Sequence, residues 1–148
     1  MKKISVMPLF LLLLACSLHY ISPEEDLLKS VKSYWQAVIQ NRWGLAYEYE
    51  YPLLKKTVPR DVYISKHGNP LVRITNFEVE KISFENEKKA QVYLMLRLNI
   101  VLPGTKGKAS FPIRVLDQWQ NINGKWYHVP KKGKLLRQKI FPKKYSQE

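Results

Sequence analysis

The chain has 148 residues, with 25 Lys or Arg against 12 Asp or Glu and a formal net charge of +13. That length holds one domain with a sizeable core and excludes two of ordinary size, and a single cysteine, Cys16, excludes an intramolecular disulfide. The positive balance directs the protein towards anionic surfaces, whether phospholipid, lipopolysaccharide, an acidic wall polymer or nucleic acid.

The chain begins with Met1-Lys2-Lys3, followed by the uncharged run from Ile4 to Ala15. This run is too short to span a bilayer and fits the apolar region of a secretory signal; an uncleaved anchor or a buried core helix are the other readings. It ends in Leu13-Leu14-Ala15-Cys16, which resembles the lipobox of bacterial lipoproteins. The resemblance implies removal of residues 1–15, acylation of Cys16, and a tether over 16–23 that anchors the protein to a membrane of the cell envelope. Several acyl chains anchor stably where one does not, at about 0.8 kcal/mol per buried methylene. Ser17, in place of an aspartate, resembles the pattern that sorts lipoproteins to the periplasmic side of the outer membrane in hosts with two membranes. Without Lys2 and Lys3 there remain 23 basic and 12 acidic residues, a charge of +11. Export speaks against a nucleic-acid partner.

Ser22-Pro23-Glu24-Glu25-Asp26 is a helix start: a capping serine, proline at the first helical position and acids in the first turn. Leu27, Leu28, Val31, Tyr34, Trp35, Val38 and Ile39 recur at offsets of three and four, which predicts an amphipathic helix over 24–40. Asn41 is placed to cap a second helix through Trp43, Ala46 and Tyr47, which Pro52 stops near Tyr51. The aromatic residues Trp43, Tyr47, Tyr49 and Tyr51 are read as packing in preference to a ring-stacking platform, because each buries a large area. A third short helix is expected after Pro59, from Arg60 to about Lys66, with Asp61 serving its dipole and His67 in the loop beyond it.

From Leu71 to Phe84 the apolar positions change parity: Phe77 and Val79 are odd, Ile82 and Phe84 even. One long strand with a bulge accounts for this, and so do two shorter strands. Glu85-Asn86-Glu87-Lys88 turns the chain. Ala90, Val92, Leu94, Leu96, Leu98 and Ile100 are then apolar at every second position, the pattern of a strand with one buried face. After Pro103-Gly104-Thr105-Lys106 the odd positions Phe111, Ile113, Val115 and Trp119 take over that role, and Asn123-Gly124 turns into Lys125-Trp126-Tyr127-His128-Val129. The prediction is a three-stranded antiparallel meander from Ala90 to Val129 whose apolar face is roofed by the first helix, an α+β class of fold with one domain over 24–130.

The segments from Val31 to Pro52 and Asp117-Gln118-Trp119…Asn123-Gly124-Lys125-Trp126-Tyr127 resemble the nuclear transport factor 2-like superfamily (SnoaL-like, cystatin-type α+β cones), in its small exported lipoprotein form. The resemblance implies N-terminal helices lying in the concave face of a bent antiparallel sheet, with a pocket at the open end of the cone. Its members include isomerases, cyclases and dehydratases as well as non-catalytic binding and scaffold domains, so fold alone does not choose a function.

Register is legible without the family. A four-residue loop at 103–106 sets Leu102 opposite Gly107, Ile100 opposite Ala109, Leu96 opposite Ile113, Val92 opposite Asp117 and Ala90 opposite Trp119. A two-residue Asn123-Gly124 turn sets Ile122 opposite Lys125 and Trp119 opposite His128; a four-residue loop there sets Asp117 opposite His128. Both choices put Asp117, Trp119, Trp126 and His128 on the apolar face, whereas a three-residue loop would flip the final strand and separate them. A carboxylate and an imidazole among apolar side chains are candidates for perturbed pKa values. Tyr34, Trp35, Asp117, Trp119, Trp126 and His128 are therefore the expected pocket residues. The resemblance adds a catalytic alternative, with Asp117 as general base tuned by His128 and Tyr34 donating to an oxyanion. No second acid stands on a clearly inward position, which weighs towards a satisfied structural carboxylate and a binding or scaffolding role. No zinc-ligand spacing, glycine-rich phosphate loop or nucleophile elbow is present, so no metal or other cofactor is expected.

Residues 131–148 carry Lys131, Lys132, Lys134, Arg137, Lys139, Lys143 and Lys144 with no acid before Glu148. This basic tail is read either as a contact for an anionic headgroup layer or as a solvated terminus. A small apolar ligand or a protein docking on the sheet complete the expected partners.

Overall fold

Ser22 opens the first helix through a reciprocal cap. Its hydroxyl accepts the Glu25 N–H at 3.2 Å, while the Glu25 carboxylate accepts the Ser22 N–H at 3.1 Å. With Pro23 at the first position and three acids in the first turn, α1 runs over Pro23–Ile39. The structure is a computed structural model that describes residues 22–67, 71–101 and 107–130. Cys16, residues 102–106 and the basic residues Lys131, Lys132, Lys134, Arg137, Lys139, Lys143 and Lys144 lie outside these ranges. So do the pairing of Leu102 with Gly107 and the domain boundaries at 15 and 131.

The end of α1 corrects one expectation. Asn41 does not cap a second helix; it closes the first, with φ at 55°. The Asn41 N–H reaches Val38 O at 3.0 Å and the Arg42 N–H reaches Ala37 O at 2.8 Å, the paired bonds of a Schellman motif. Asparagine tolerates this left-handed conformation better than most residues, which is why it suits the site. Beyond it stand a single turn, α2 (Trp43–Ala46), and a 3₁₀ turn over Tyr47–Tyr49. Pro52 does not end a helix but starts one, α3 (Pro52–Thr57), since its fixed φ and missing N–H suit a first turn. The chain continues into α4 (Arg60–His67), as predicted after Pro59. His67 is not a solvated loop residue: it ends α4 with its ring 4.0 Å from that of Tyr63.

Four antiparallel strands follow in the order β1-β2-β3-β4: β1 (Val72–Asn86), β2 (Lys89–Val101), β3 (Lys108–Ile122) and β4 (Lys125–Val129). The parity change in β1 is a bulge within one long strand. Val79 faces Leu94 and Lys81 faces Tyr93, so Glu80 is the extra residue; two further shifts fall at Ile74/Asn76 and Phe84/Asn86. The predicted pairs Ile100–Ala109, Leu96–Ile113, Val92–Asp117 and Ala90–Trp119 all form. Asn123 and Gly124 take φ of 52° and 82°, the left-handed pair that a two-residue hairpin turn needs, and Trp119 accordingly faces His128.

The inward residues of β2, from Ala90 to Ile100, are all buried. Leu27, Val31, Tyr34, Trp35, Ala37 and Val38 of α1 join Ala90, Val92, Leu94, Leu96, Trp119 and Trp126 in one core cluster, with Trp43 and Tyr49 packed against it. The amphipathic helix thus roofs the meander, an α+β architecture of helices on one face of a four-stranded sheet. Among the described residues no helix is long and apolar enough to cross a membrane.

Candidate functional site

The core of this fold contains two carboxylates. Glu50 is 2% exposed and Asp117 6%. Asp117 reaches the inner face because it sits two residues before Trp119 on β3, opposite Val92. Glu50 reaches it by another route: at the end of the 3₁₀ turn the backbone becomes extended and runs parallel to β4, with the Tyr51 N–H donating to His128 O at 3.0 Å. Glu50 corrects the expectation that no second acid points inward.

His128 lies between the two acids. Its Nδ1 is 3.2 Å from Glu50 Oε2 and 3.3 Å from Oε1, and its Nε2 is 3.7 Å from Asp117 Oδ1, an ion-pair distance rather than a hydrogen bond. Further hydrogen bonds fall on Glu50 Oε1 and Asp117 Oδ2. Tyr34 and Tyr63 donate to Glu50 Oε1 at 3.0 and 2.8 Å, and Trp35 Nε1–H donates to Asp117 Oδ2 at 2.9 Å. Tyr34 stacks on the imidazole with ring centroids 4.6 Å apart, and the Trp119 ring stands 5.6 Å from it.

The electrostatics follow from this arrangement. Burial alone would lower the His128 pKa, but the two facing carboxylates, Asp117 and Glu50, outweigh it and hold it up at about 10. Burial would raise the Glu50 carboxyl; His128, Tyr63 and Tyr34 outweigh it, and its pKa is lowered. Burial and the Glu50 charge push both tyrosine hydroxyls above their usual range, so they stay protonated donors. At neutral pH the cluster is an imidazolium held by two carboxylates. Each carboxylate is bonded to neighbours on other elements, so the cluster ties α1, the Glu50 segment, α4, β3 and β4 together.

All six expected pocket residues, Tyr34, Trp35, Asp117, Trp119, Trp126 and His128, come together, but as a packed cluster. Tyr34 bonds Glu50, where an oxyanion would have been its partner in the catalytic alternative. Trp119 Nε1 and Trp126 Nε1 are buried without a hydrogen-bond partner among the described residues. Concavities lie elsewhere: a groove of about 740 Å³ between α1 and β1, lined by Leu28, Lys32, Phe77 and Ile82 among others, and a smaller one of about 390 Å³ at the Asn123-Gly124 turn. Glu50 gave little sequence signal, because it stands in the aromatic run Tyr47-Glu48-Tyr49-Glu50-Tyr51, where neither helical nor strand periodicity says which acid turns inward.

No family model matches the chain, and no curated protein matches it in sequence. Solved structures match it in fold. A candidate dehydratase of the NTF2-like family from Streptomyces avermitilis superposes with a TM-score of 0.52 at 7% identity, covering 75% of this chain and 97% of that one. A candidate scytalone dehydratase from Novosphingobium aromaticivorans gives 0.51 at 12% identity, over 71% and 78%. The CamKII hub homology domain of Chlamydomonas reinhardtii gives 0.51 at 10% identity, over 73% and 94%. The fold is therefore the NTF2-like α+β cone. Likeness at such identities shows the fold alone.

Proposed function

We propose that this protein is a lipid-anchored component of the bacterial cell envelope whose cone domain acts by binding or scaffolding. One observation carries the choice against catalysis: Glu50 and Asp117 are buried and engaged by Tyr34, Tyr63, Trp35 and His128. A general base needs a lone pair that substrate can reach, and here both carboxylates are buried, with Glu50 Oε1 and Oε2 and Asp117 Oδ2 already bonded and Oδ1 turned towards His128 Nε2 at 3.7 Å. The partners of such a domain are an anionic lipid or envelope polymer, a protein, or a small apolar ligand at the surface groove. The envelope placement rests on the lipobox-like Leu13-Leu14-Ala15-Cys16, with acylation of Cys16 and sorting to the periplasmic side of the outer membrane where two membranes exist.

Anchoring is tested by growing an expressing bacterium with an alkyne-tagged fatty acid. The wild-type chain takes up label and stays in the membrane fraction, and Cys16→Ser loses both; equal labelling of the two overturns the anchor. The enzymatic alternative, an isomerase or dehydratase using Asp117 as base, draws on the likeness to two candidate dehydratases. It is tested by solvent-deuterium exchange into a panel of enolisable carbonyl compounds. Exchange by the wild type that Asp117→Asn abolishes would replace the binding reading with the enzyme.

A further inference from the structure

Beside the buried cluster the same segments build an outward face. Lys55 of α3 places its ammonium 5.3 Å from the Tyr47 ring centre and 5.7 Å from that of Tyr127 on β4. Lys125 stands 5.3 Å from the Tyr127 ring and 5.9 Å from that of Tyr49. The result is a ladder of alternating rings and cations, Tyr47–Lys55–Tyr127–Lys125–Tyr49. Next to it Leu53 is 59% exposed, and Lys56 is exposed one turn on. Leu53 and Lys56 are three residues apart on α3 and so stand on one side of it, both exposed. β4 ends at Val129, and seven basic residues with no acid before Glu148 follow in the sequence from 131 onward.

We propose that this face, made by Leu53, Lys55, Lys56, Lys125 and Tyr127, is the surface that the domain lays against an anionic phospholipid bilayer, and that it sets the orientation of the domain on that bilayer. The inference deepens the membrane reading above and rests on it. Each component matches one layer of the bilayer edge. An outward leucine enters the acyl boundary, tyrosines take the amphipathic headgroup level, and lysines meet phosphates. Glu48 holds Lys55 in place, its carbonyl accepting from Nζ at 2.9 Å and its carboxylate standing 3.8 Å away, which leaves the ammonium a further donor beside Lys125.

Because Cys16 is the only cysteine, orientation is measurable with a single fluorophore. The full chain carrying Cys16→Ser receives either Leu53→Cys or Lys32→Cys, the latter in the α1–β1 groove, and each is labelled with an environment-sensitive dye. Vesicles are phosphatidylcholine with and without 30% phosphatidylglycerol, about one anion in three lipids. The label at 53 shifts to the blue on anionic vesicles and not on neutral ones, while the label at 32 does not shift. Lys55→Gln and Lys125→Gln each lower vesicle partition roughly fivefold, and Lys32→Gln changes it less than about twofold. Equal shifts at both positions, a shift only at 32, or no effect of Lys55→Gln and Lys125→Gln while neutralising the seven basic residues beyond Pro130 abolishes binding overturns the face. An unlabelled Cys16 in cells with these vesicle results intact would overturn the acyl anchor and leave the face standing.

Discussion

His128 and Glu50, distant in sequence, meet inside the cone with imidazole Nδ1 3.2 Å from the carboxylate and the backbone of Tyr51 bonded to His128 O at 3.0 Å. This double attachment holds the segment after α2 along the free edge of β4. It covers a sheet edge that would otherwise present unpaired backbone groups. It also brings Lys55 within reach of Tyr127, so the buried cluster and the outward ladder depend on one junction.

The junction makes stability depend on pH with a definite sign. His128 has its folded pKa raised from 6.5 to about 10. Its contribution is complete below 6.5, where the unfolded chain also holds the proton, and is lost as pH rises towards 10. Glu50 is lowered from 4.5, so its contribution is complete above that value and is lost on acidification through its folded pKa. The free energy of unfolding is expected to be highest between about pH 4.5 and 6.5 and to fall towards pH 10, by a few kcal/mol in order of magnitude. Urea titrations of the wild type and His128→Gln check this, with the alkaline fall greatly reduced in the variant.

Removing Glu50 leaves His128 facing only Asp117 and strips two tyrosines of their acceptor. Glu50→Ala is expected to destabilise by about 3–5 kcal/mol, as for a broken buried ion pair. Tyr63→Phe, which removes one of the two buried tyrosine donors, is expected to cost about 1.5–3 kcal/mol. Equilibrium unfolding of the two variants should preserve that order.

Much of this fold was legible in the chain, and the reason is parity. Strand side chains alternate with a period of two, so Ala90 to Ile100 and Phe111 to Trp119 fixed their own inward faces, and the short loops fixed the pairings. Asp117, Trp119, Trp126 and His128 came together on that basis. The irregular segment 41–59 has no such ruler. Asn41 suits a helix start and a left-handed helix end equally well, Pro52 both ends and begins helices, and Glu48 and Glu50 are indistinguishable in sequence. Only the fold shows that Glu50 turns in. The charge ladder was hidden for the same reason, since Lys55 and Lys125 meet through Tyr127 across separate elements.

Trp35 offers a sharper probe of the Asp117 side. Trp35→Phe removes the 2.9 Å donor and leaves a buried carboxylate oxygen bare, at an expected cost of about 1–3 kcal/mol plus the lost ring volume. Asp117→Asn keeps an acceptor for the indole and loses charge towards His128. A double-mutant cycle on the pair, measured by chemical denaturation, should give coupling well above additivity error.

The hairpin turn is tested by Gly124→Ala. The position has φ of 82°, and an added Cβ meets nothing within 4 Å, so the penalty is backbone conformation alone. About 1–2 kcal/mol of destabilisation is expected in thermal or urea unfolding, with the sheet otherwise unchanged.

The claim on which the account rests is that His128 is a cation clasped by two acids, leaving neither acid free as a base. Nitrogen-15 NMR of the imidazole reports this directly. The account predicts both ring nitrogens protonated at pH 7.5, with titration displaced far to the alkaline side. A neutral ring with one bare nitrogen, titrating near 6.5, would contradict it.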